Sequence, residues 1–287
     1  MNFKLVVTYS DDKVEVFKRL LNSLKAQADN IFMVCVYQGE QPVEEHENII
    51  SQYIEGSFVL LKSHRCSLSE ARNKGLKYIY DNYALCPDDV VMFPDDDCWY
   101  ENGFFERVTG LNWKENDFYS FRVFDPIERK EFGKRKSNIS VSLNYLNAFR
   151  LPISVGLAVN FKLFRDKVEY FNEELGIGTD IGSGEETEVV LKLLHAKCKG
   201  EYNGFLNVYH EIYKVDDNFI VKTGKYAIGQ GYCLKMFAMK FSPLIWLTFI
   251  ELLLRSAVGY LVTSKKLSKM YKVRFISLFK GIFIKLD

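Results

Sequence analysis

The chain has few of the residues that build disulfide-linked or zinc-bound folds. Its 287 residues include six cysteines and four histidines, and the cysteines are scattered without a C-x-x-C pair. This spacing excludes a zinc ribbon and a dense disulfide framework, so we expect reduced, non-catalytic thiols. No internal repeat or low-complexity linker divides the first 230 residues. We therefore expect one globular domain there.

The first residues of the chain do not have the pattern of a secretory signal peptide. The apolar run from Phe3 to Thr8 is short and passes directly into Tyr9, Ser10 and two aspartates. A signal peptide needs a basic start followed by a longer apolar core. The expectation is therefore a protein that stays in the cytoplasm.

Charge is distributed unevenly along the chain. Residues 231–287 contain ten Lys and Arg against two Asp and Glu, a local charge of +8, so the overall +1 leaves −7 for residues 1–230. Such a division indicates two functionally different parts. We predict a globular domain over 1–230 and a basic, apolar helical extension over 231–287.

The globular part alternates short β-branched runs with amphipathic stretches, which is typical of an α/β fold with a mixed, mostly parallel central sheet flanked by helices. One helix carries Phe17, Leu20 and Leu24 on a single face; another follows Ser69 as its N-cap and runs to Tyr80; a third covers Glu186–Ala196. The predicted strands are Phe3–Thr8, Ile31–Tyr37, Phe58–Leu61, Val90–Phe93, Phe118–Phe124 and Phe205–Tyr209.

Three consecutive aspartates, Asp95, Asp96 and Asp97, follow the fourth strand directly after Pro94. Ligands of open α/β sheets collect beyond the carboxyl ends of strands. Adjacent carboxylates repel one another unless a cation neutralises them. Mg²⁺ or Mn²⁺, shared with nucleotide phosphates, would do so. The alternative is a solvated acidic turn that caps a helix near Asn102.

A second acidic cluster, at Glu185, Glu186 and Glu188, opens a helix. It follows a segment with four glycines, residues 171–184, here called the glycine-rich loop. Acidic residues are favoured in a first helical turn for electrostatic reasons alone. A glycine-rich loop that ends in paired carboxylates nevertheless suits a general base beside a substrate. Farther along, His210 ends a strand, where a lone histidine is more often an ordinary hydrogen-bonding residue than a ligand.

Together these segments resemble the family-two inverting glycosyltransferases with the GT-A fold, over residues 3–230. The residues that carry the resemblance lie in order along the chain, at Thr8-Tyr9-Ser10, Leu68–Gly75, Phe93–Asp97, Gly184–Glu188 and Val208-Tyr209-His210. The resemblance implies transfer of a sugar, with inversion, from a nucleotide-diphosphate sugar to an acceptor hydroxyl. By analogy with the family, the acceptor is a glycan or lipid-linked glycan in assembly of bacterial surface polysaccharide, O-antigen or capsule.

By the same resemblance, Asp95 and Asp97 form a D-x-D element, with Asp97 the direct ligand of Mn²⁺ or Mg²⁺ and Asp95 nearer the ribose. Asp96 lies between them, and His210 assists the metal or the diphosphate. The resemblance also assigns nucleotide-sugar binding to Thr8, Tyr9, Ser10, Gln38, Arg72, Asn73, Asp95 and Asp96.

Two positions depart from the family pattern. The family motif usually ends in Glu-Asp, with the aspartate as base, whereas this chain has Glu185-Glu186. Glu186 is the base by position, and Glu185 remains an alternative. Gln38 stands where many members place an aspartate that binds uracil. Because an amide can still pair with a base edge, a UDP-sugar stays the favoured donor.

The apolar run Phe241–Val262 is long enough to span a bilayer, but Glu251 and Arg255 interrupt it. We expect it to lie in the membrane interface, with the following lysines and arginines facing anionic headgroups, so that the protein is peripheral on the inner face of the cell membrane. The alternatives are packing on the domain or on a second copy, which would make a homo-oligomer. The many aliphatic residues argue against nucleic-acid binding.

Two other functions compete with sugar transfer. A sugar nucleotidyltransferase would have a glycine-rich phosphate loop after the first strand, where this chain has Tyr9-Ser10-Asp11-Asp12. A catalytically inactive GT-A domain that recruits a partner to the membrane would have no reason to keep both acidic clusters and His210.

Overall fold

The computed structural model describes residues 1–25, 27, 30–54, 57–84, 86–131, 137–212 and 216–285. Its centre is a ten-stranded sheet in the order β3-β2-β1-β4-β9-β6-β10-β5, with β7 beside β6 and β8 beside β10. The strands are β1 (Phe3–Tyr9), β2 (Ile31–Tyr37), β3 (Phe58–Lys62), β4 (Val90–Met92), β5 (Cys98–Tyr100), β6 (Phe118–Asp125), β7 (Lys130–Glu131), β8 (Ser140–Ser142), β9 (Leu157–Asn160) and β10 (Gly200–His210).

Nine helices accompany these strands within the described residues. They are α1 (Val14–Lys25), α2 (Val43–Ser51), α3 (Leu68–Asn82), α4 (Phe104–Thr109), α5 (Phe161–Lys167), α6 (Glu185–His195), α7 (Asp217–Lys240), α8 (Ile245–Val262) and α9 (Lys265–Ile282).

The order in which successive strands join the sheet reverses at β1. Strands β2 and β3 continue in parallel on one side of β1, whereas β4 pairs with it in parallel on the other side. Beyond β4, the antiparallel strand β9 connects to β6, and β10 then runs parallel to β6. The prediction of a mixed, mostly parallel sheet is confirmed. The carboxyl ends of β1 and β4 form the switch point at which ligands of such sheets bind.

Helices cover both faces of the sheet, each over its own apolar core. Phe17, Leu20 and Phe104 belong to the cluster under α1, α2 and α4. Phe93 and Leu193 belong to the cluster under α3, α5 and α6. A fully buried leucine or phenylalanine stabilises a fold by about 1.5–3 kcal/mol, so these clusters hold the strand ends of the switch point in place.

Some predicted boundaries were wrong in ways that have a local cause. Ser67, not Ser69, is the N-cap of α3, since its backbone is extended and its hydroxyl accepts the Glu70 N–H at 3.2 Å. Ser69 lies inside the first turn, buried, and donates to the Leu175 carbonyl at 2.7 Å. Strand β10 begins at Gly200, five residues earlier than predicted, because its first part pairs with β6 and β8.

The basic stretch predicted over Glu128–Ser140 includes residues 132–136, which lie outside the described residues. Its described part contributes β7 and the start of β8. The six cysteines form no disulfide, as expected.

The carboxyl-terminal extension is helical, as predicted, and packs against the sheet domain. Helix α7 begins at Asp217, where the Asp216 carboxylate accepts the Phe219 N–H at 2.7 Å, and it runs through the predicted boundary at residue 230. Phe237 of α7 and Phe249 of α8 are buried in the core beneath α6. Helices α7 and α9 touch backbone to backbone, since a Cβ on Gly231 would lie 2.2 Å from the Leu278 carbonyl oxygen.

Candidate active site

A cavity of about 350 Å³, here called the first cavity, opens at the carboxyl ends of β1 and β4. The two strand ends are joined by a parallel bridge between Thr8 and Asp95. Eight predicted site residues line this cavity, at Thr8, Tyr9, Ser10, Gln38, Asp95, Asp96, Asp97 and His210. Residues distant in sequence thus meet at the switch point.

Asp97 and His210 form a direct polar contact at this edge. Strand β5 pairs with the end of β10, which places the His210 Nε2 atom 3.1 Å from the Asp97 Oδ1 atom. Burial alone would raise the pKa of Asp97, but the bond to His210 and the charge of Lys13 hold it below its usual value. Burial likewise opposes protonation of His210, yet Asp97 raises the pKa of the imidazole.

Asp95 is held from behind by Arg72. The Arg72 Nη2 atom donates to the Asp95 Oδ1 atom at 2.9 Å. Burial raises the pKa of Asp95 while the Arg72 charge opposes that shift. Burial also raises the pKa of Asp96 to about 7, and the neighbouring Asp97 charge adds to the effect. The edge therefore concentrates carboxylates whose ionisation a bound cation would favour.

Arg72 and Asn73 do not line the first cavity. Arg72 is only 1% exposed and reaches the edge through Asp95. The Asn73 amide group donates to the Phe171 carbonyl at 2.9 Å and to Glu173 at 2.8 Å. Its oxygen accepts the Phe171 N–H at 2.8 Å. In this structure Asn73 fastens α3 to the start of the glycine-rich loop.

Gln38 lines the first cavity beside Tyr9, whose carbonyl accepts the Gln38 N–H at 2.9 Å. Its side-chain oxygen accepts the Cys66 N–H at 2.8 Å, which fixes the orientation of the amide. The NH₂ group of an amide so oriented is a donor that can face a base carbonyl.

A second cavity, of about 470 Å³, contains both predicted base residues. Glu185 and Glu186 line it together with Asp95 and His210, so it adjoins the first cavity at the aspartate edge. Exposed Ile177, from the glycine-rich loop, lies on the border of both cavities. The two spaces are therefore parts of one cleft.

The two glutamates have different surroundings. Glu185 is buried, with its Oε1 atom 3.9 Å from the Arg72 Nη1 atom. Burial raises the pKa of Glu185, the Glu186 charge raises it further, and Arg72 opposes both. Glu186 is less buried than Glu185. Gly184 precedes them at φ +97°, a left-handed conformation that favours glycine and turns the chain into α6.

The residues at the aspartate edge fit a divalent metal that is shared with phosphates. Mg²⁺ and Mn²⁺ sites of this kind use one or two protein carboxylates and leave the remaining positions to substrate oxygens and water. The Nδ1 atom of His210 donates to the Glu211 carbonyl at 2.7 Å, which is the outer contact that orients a metal-binding imidazole through Nε2. Asp97, His210 and Asp95 are thus a suitable partial ligand set.

Among the described residues, the group that brings three ligand atoms within 4.8 Å of one another is not the aspartate edge but His64, Cys66 and Glu70. Lys74 already neutralises Glu70 at 2.9 Å, and His64 is largely exposed. This group differs from the aspartate edge in both ligand type and position.

Sequence reasoning missed the contributions of Lys13 and of α7. Lys13 lies 3.8 Å from Asp97, one turn after β1, and nothing in its sequence context separates it from a surface lysine. Tyr226 and Lys222 of α7 line the second cavity together with the glutamates. Both residues lie within the predicted globular domain over 1–230, and their four-residue spacing along α7 was the signal that could have revealed them.

The sheet has the GT-A fold of nucleotide-sugar glycosyltransferases, and its switch point carries three aspartates and a histidine beside paired glutamates. The chain belongs to glycosyl transferase family 2, whose sequence profile matches residues 5–169. The matched segment includes the three aspartates and ends before Glu185, Glu186 and His210. Among curated proteins, no match is found.

Solved structures share the fold over almost the whole chain. The crystal structure of S. aureus TarS 1-349 superposes with a TM-score of 0.59 at 14% identity and covers 100% of this chain and 94% of its own. TarS 1-349 in complex with UDP gives 0.58 at 14%, with coverages of 99% and 81%. Mannosyltransferase PcManGT from Pyrobaculum calidifontis, in complex with GDP-Man and Mn2+, gives 0.67 at 11%, with coverages of 98% and 87%.

Proposed function

We propose that this protein transfers a sugar with inversion from a nucleotide-diphosphate sugar to a hydroxyl of a lipid-linked glycan. A UDP-sugar is the favoured donor. The observation that carries this proposal is the meeting of the two cavities at Asp95 and His210. The first cavity would hold the donor and the second the acceptor, so that the reacting atoms meet beside the glutamates.

The donor nucleotide would lie along β1 and β2. Thr8, Tyr9, Ser10 and Gln38 line this part of the first cavity together. A neighbouring structure, TarS, is in complex with UDP, which supports uridine as the base that Gln38 would meet. Asp95, held by Arg72, would accept hydrogen bonds from the ribose.

Mn²⁺ or Mg²⁺, held by Asp97 and His210 with Asp95 nearby, would supply charge neutralisation for the diphosphate. A neighbouring mannosyltransferase is in complex with Mn2+. Lys13 adds a basic side chain 3.8 Å from Asp97, at the same end of the cavity. The edge thus favours the negative charge that accumulates on the leaving group.

Glu186 is the better candidate for the general base. The base must be ionised before the acceptor arrives, and burial favours the protonated form of Glu185. In the displacement the acceptor oxygen bonds to the anomeric carbon as the bond from that carbon to the diphosphate oxygen breaks. The acceptor proton passes to Glu186, and the nucleoside diphosphate leaves with the electron pair. Attack from the opposite side inverts the configuration.

The tail supports a location at a membrane surface. Within the described residues, α8 is the one helix long and apolar enough to cross a membrane, by length and composition alone. Only 33% of it is buried, and Leu247, Ile250, Leu254, Val258 and Leu261 leave an apolar stripe exposed. A helix with one packed face and one apolar exposed face suits the interface. We place the protein on the inner face of the cell membrane, with residues 231–287 as the membrane-associating part.

Purified protein should be incubated with UDP-, GDP- and dTDP-sugars in the presence of Mn²⁺ or Mg²⁺. Release of a nucleoside diphosphate from one donor, abolished by EDTA and by Asp97→Asn, is the expected result. Pyrophosphate release from a nucleoside triphosphate would instead indicate a nucleotidyltransferase. Absence of turnover and of nucleotide binding across the panel would indicate an inactive domain.

A further inference from the structure

A third cavity, here called the tail groove, lies where α8 and α9 face residues 139–151. Its volume is about 990 Å³, at the upper end of the range of 300–1,000 Å³ for ligand sites. Apolar side chains make up most of its walls, among them Ile139, Phe149, Leu252 and Tyr271. The groove is therefore large enough and apolar enough to hold an aliphatic chain.

One end of the tail groove opens at the apolar stripe of α8. Leu254, Val258 and Val262 line the groove and are themselves 61%, 55% and 73% exposed. The same side chains thus belong to the groove and to the surface that we place against the membrane. An aliphatic chain could pass from a bilayer into the groove without crossing water.

The other end of the tail groove meets the second cavity. Gln230 and Arg274 line both spaces, and the Arg274 Nη2 atom donates to the Gln230 Oε1 atom at 3.3 Å. This one pair of side chains is the shared wall between the groove and the cavity that contains Glu186.

The charges of the tail groove are unbalanced. Arg150 and Arg255 both pair with Glu251, at 2.8 Å and 2.7 Å. Arg274 has no carboxylate partner among the residues that the structure describes. Three arginines against one glutamate leave the lining with an excess of two positive charges. Burial lowers the pKa of Arg274, because the charged guanidinium is poorly solvated there. An anion bound beside Arg274 would offset this unfavourable desolvation.

We propose that the tail groove and Arg274 bind a long-chain lipid phosphate that carries the acceptor sugar. The chain would lie between α8 and residues 139–151, the phosphate would bond to Arg274, and the sugar would extend past Gln230 to Glu186. A guanidinium is well suited to a phosphate because it presents paired donors in one plane. This inference rests on the proposed sugar transfer, since it names the acceptor of that same site.

The test is equilibrium binding of geranylgeranyl phosphate to the full chain in neutral detergent, with geranylgeraniol and inorganic phosphate as comparison ligands. The proposal expects tight binding only when chain and phosphate are joined. Arg274→Met should weaken binding of the lipid phosphate roughly 10- to 100-fold, the usual effect of losing a charged hydrogen bond, and should leave geranylgeraniol binding unchanged.

Two further variants keep the test decisive. Val258→Trp should fill the exposed mouth of the groove and weaken both prenyl ligands; Val258 is exposed, so the fold should tolerate the change. Lys272→Met removes a cation from the same helix, outside the groove, and should bind as the unmodified chain does. Equal losses from Lys272→Met and Arg274→Met would show general charge attraction and overturn the proposal.

Failure of this inference differs from failure of the proposed function. Hydrolysis of the sugar donor in water, without any lipid, reports on the first cavity and the metal. Donor turnover combined with no preference for the lipid phosphate over geranylgeraniol would refute the groove and leave sugar transfer standing. Lipid-phosphate binding without any donor turnover would refute the proposed function instead.

Discussion

Glu185→Gln should stabilise the protein at alkaline pH, although it removes a charged residue from the candidate active site. Burial raises the pKa of Glu185 above its ordinary value of 4.5, and Glu186 adds to the shift. Between that value and the higher folded pKa, the folded state binds more protons than the unfolded chain. Stability from this group is therefore lost as the pH rises through that window.

The size of the effect follows from the shift. Each unit by which the folded pKa exceeds the unfolded one costs about 1.4 kcal/mol at a pH above both values. A rise from 4.5 to about 8 in the pKa of Glu185 therefore predicts a gain on the order of 4 kcal/mol for Glu185→Gln at pH 8.5 to 9. At pH 4 the carboxyl group is neutral in both states, and the variant and the unmodified chain should then differ little.

Urea unfolding of both proteins at pH 4, 6 and 8.5, in the absence of metal and nucleotide, measures this difference. Glu188→Gln is the matched control on the same helix, because Glu188 is also buried but pairs with Lys240 at 2.9 Å. Its loss leaves a lysine without its partner and should destabilise the protein at neutral pH, by about 1–3 kcal/mol. If Glu185→Gln also destabilised the protein at pH 8.5, the raised pKa and the argument for Glu186 as base would both be wrong.

Three other predictions address catalysis and the tail. Glu186→Gln should lower the turnover number about 10²- to 10⁴-fold with little change in nucleotide affinity, measured by donor turnover and by titration with UDP. Leu261→Glu should reduce sedimentation with anionic liposomes without lowering the melting temperature, since Leu261 is 77% exposed on the stripe of α8; Met239→Glu, 81% exposed on α7, is its control. Gly229→Ala should lower both stability and turnover, because a Cβ there would lie 1.8 Å from the Ile181 carbonyl oxygen; an unchanged melting temperature would contradict this close packing.

The sequence predicted the sheet half of the molecule well because local and global signals agree there. Strands β1 and β2 are continuous β-branched or apolar runs, and parallel strands buried on both faces have that composition. Pro94 marks the end of the fourth strand, and the aspartates follow it at the switch point. Position in a known topology was therefore enough to predict that Thr8, Gln38 and Asp97 come together.

Other features of the site depend on contacts that no local pattern records. Ser67 and Ser69 are equally good caps by composition, and only the buried bond from Ser69 to Leu175 separates them. Asn73 stands beside Arg72 in the motif, yet its amide turns to the backbone of Phe171. Burial and side-chain direction decide such cases, and both follow from packing between segments about a hundred residues apart.

The tail differs most from the sequence-based expectation, because its charge suggests an appendage whereas Met270 and Arg274 line the second cavity. Helix α7, which continues into the tail, places Tyr226 in the lining of the same cavity as Glu186. A Cβ on Gly184 would lie 2.4 Å from the Cys233 sulfur, so α7 packs closely against the turn that precedes Glu185 and Glu186. A force that shifts α8 at a membrane would act on α7 through the core that they share. If α8 binds a membrane as proposed, that binding would therefore also affect the position of Glu185 and Glu186.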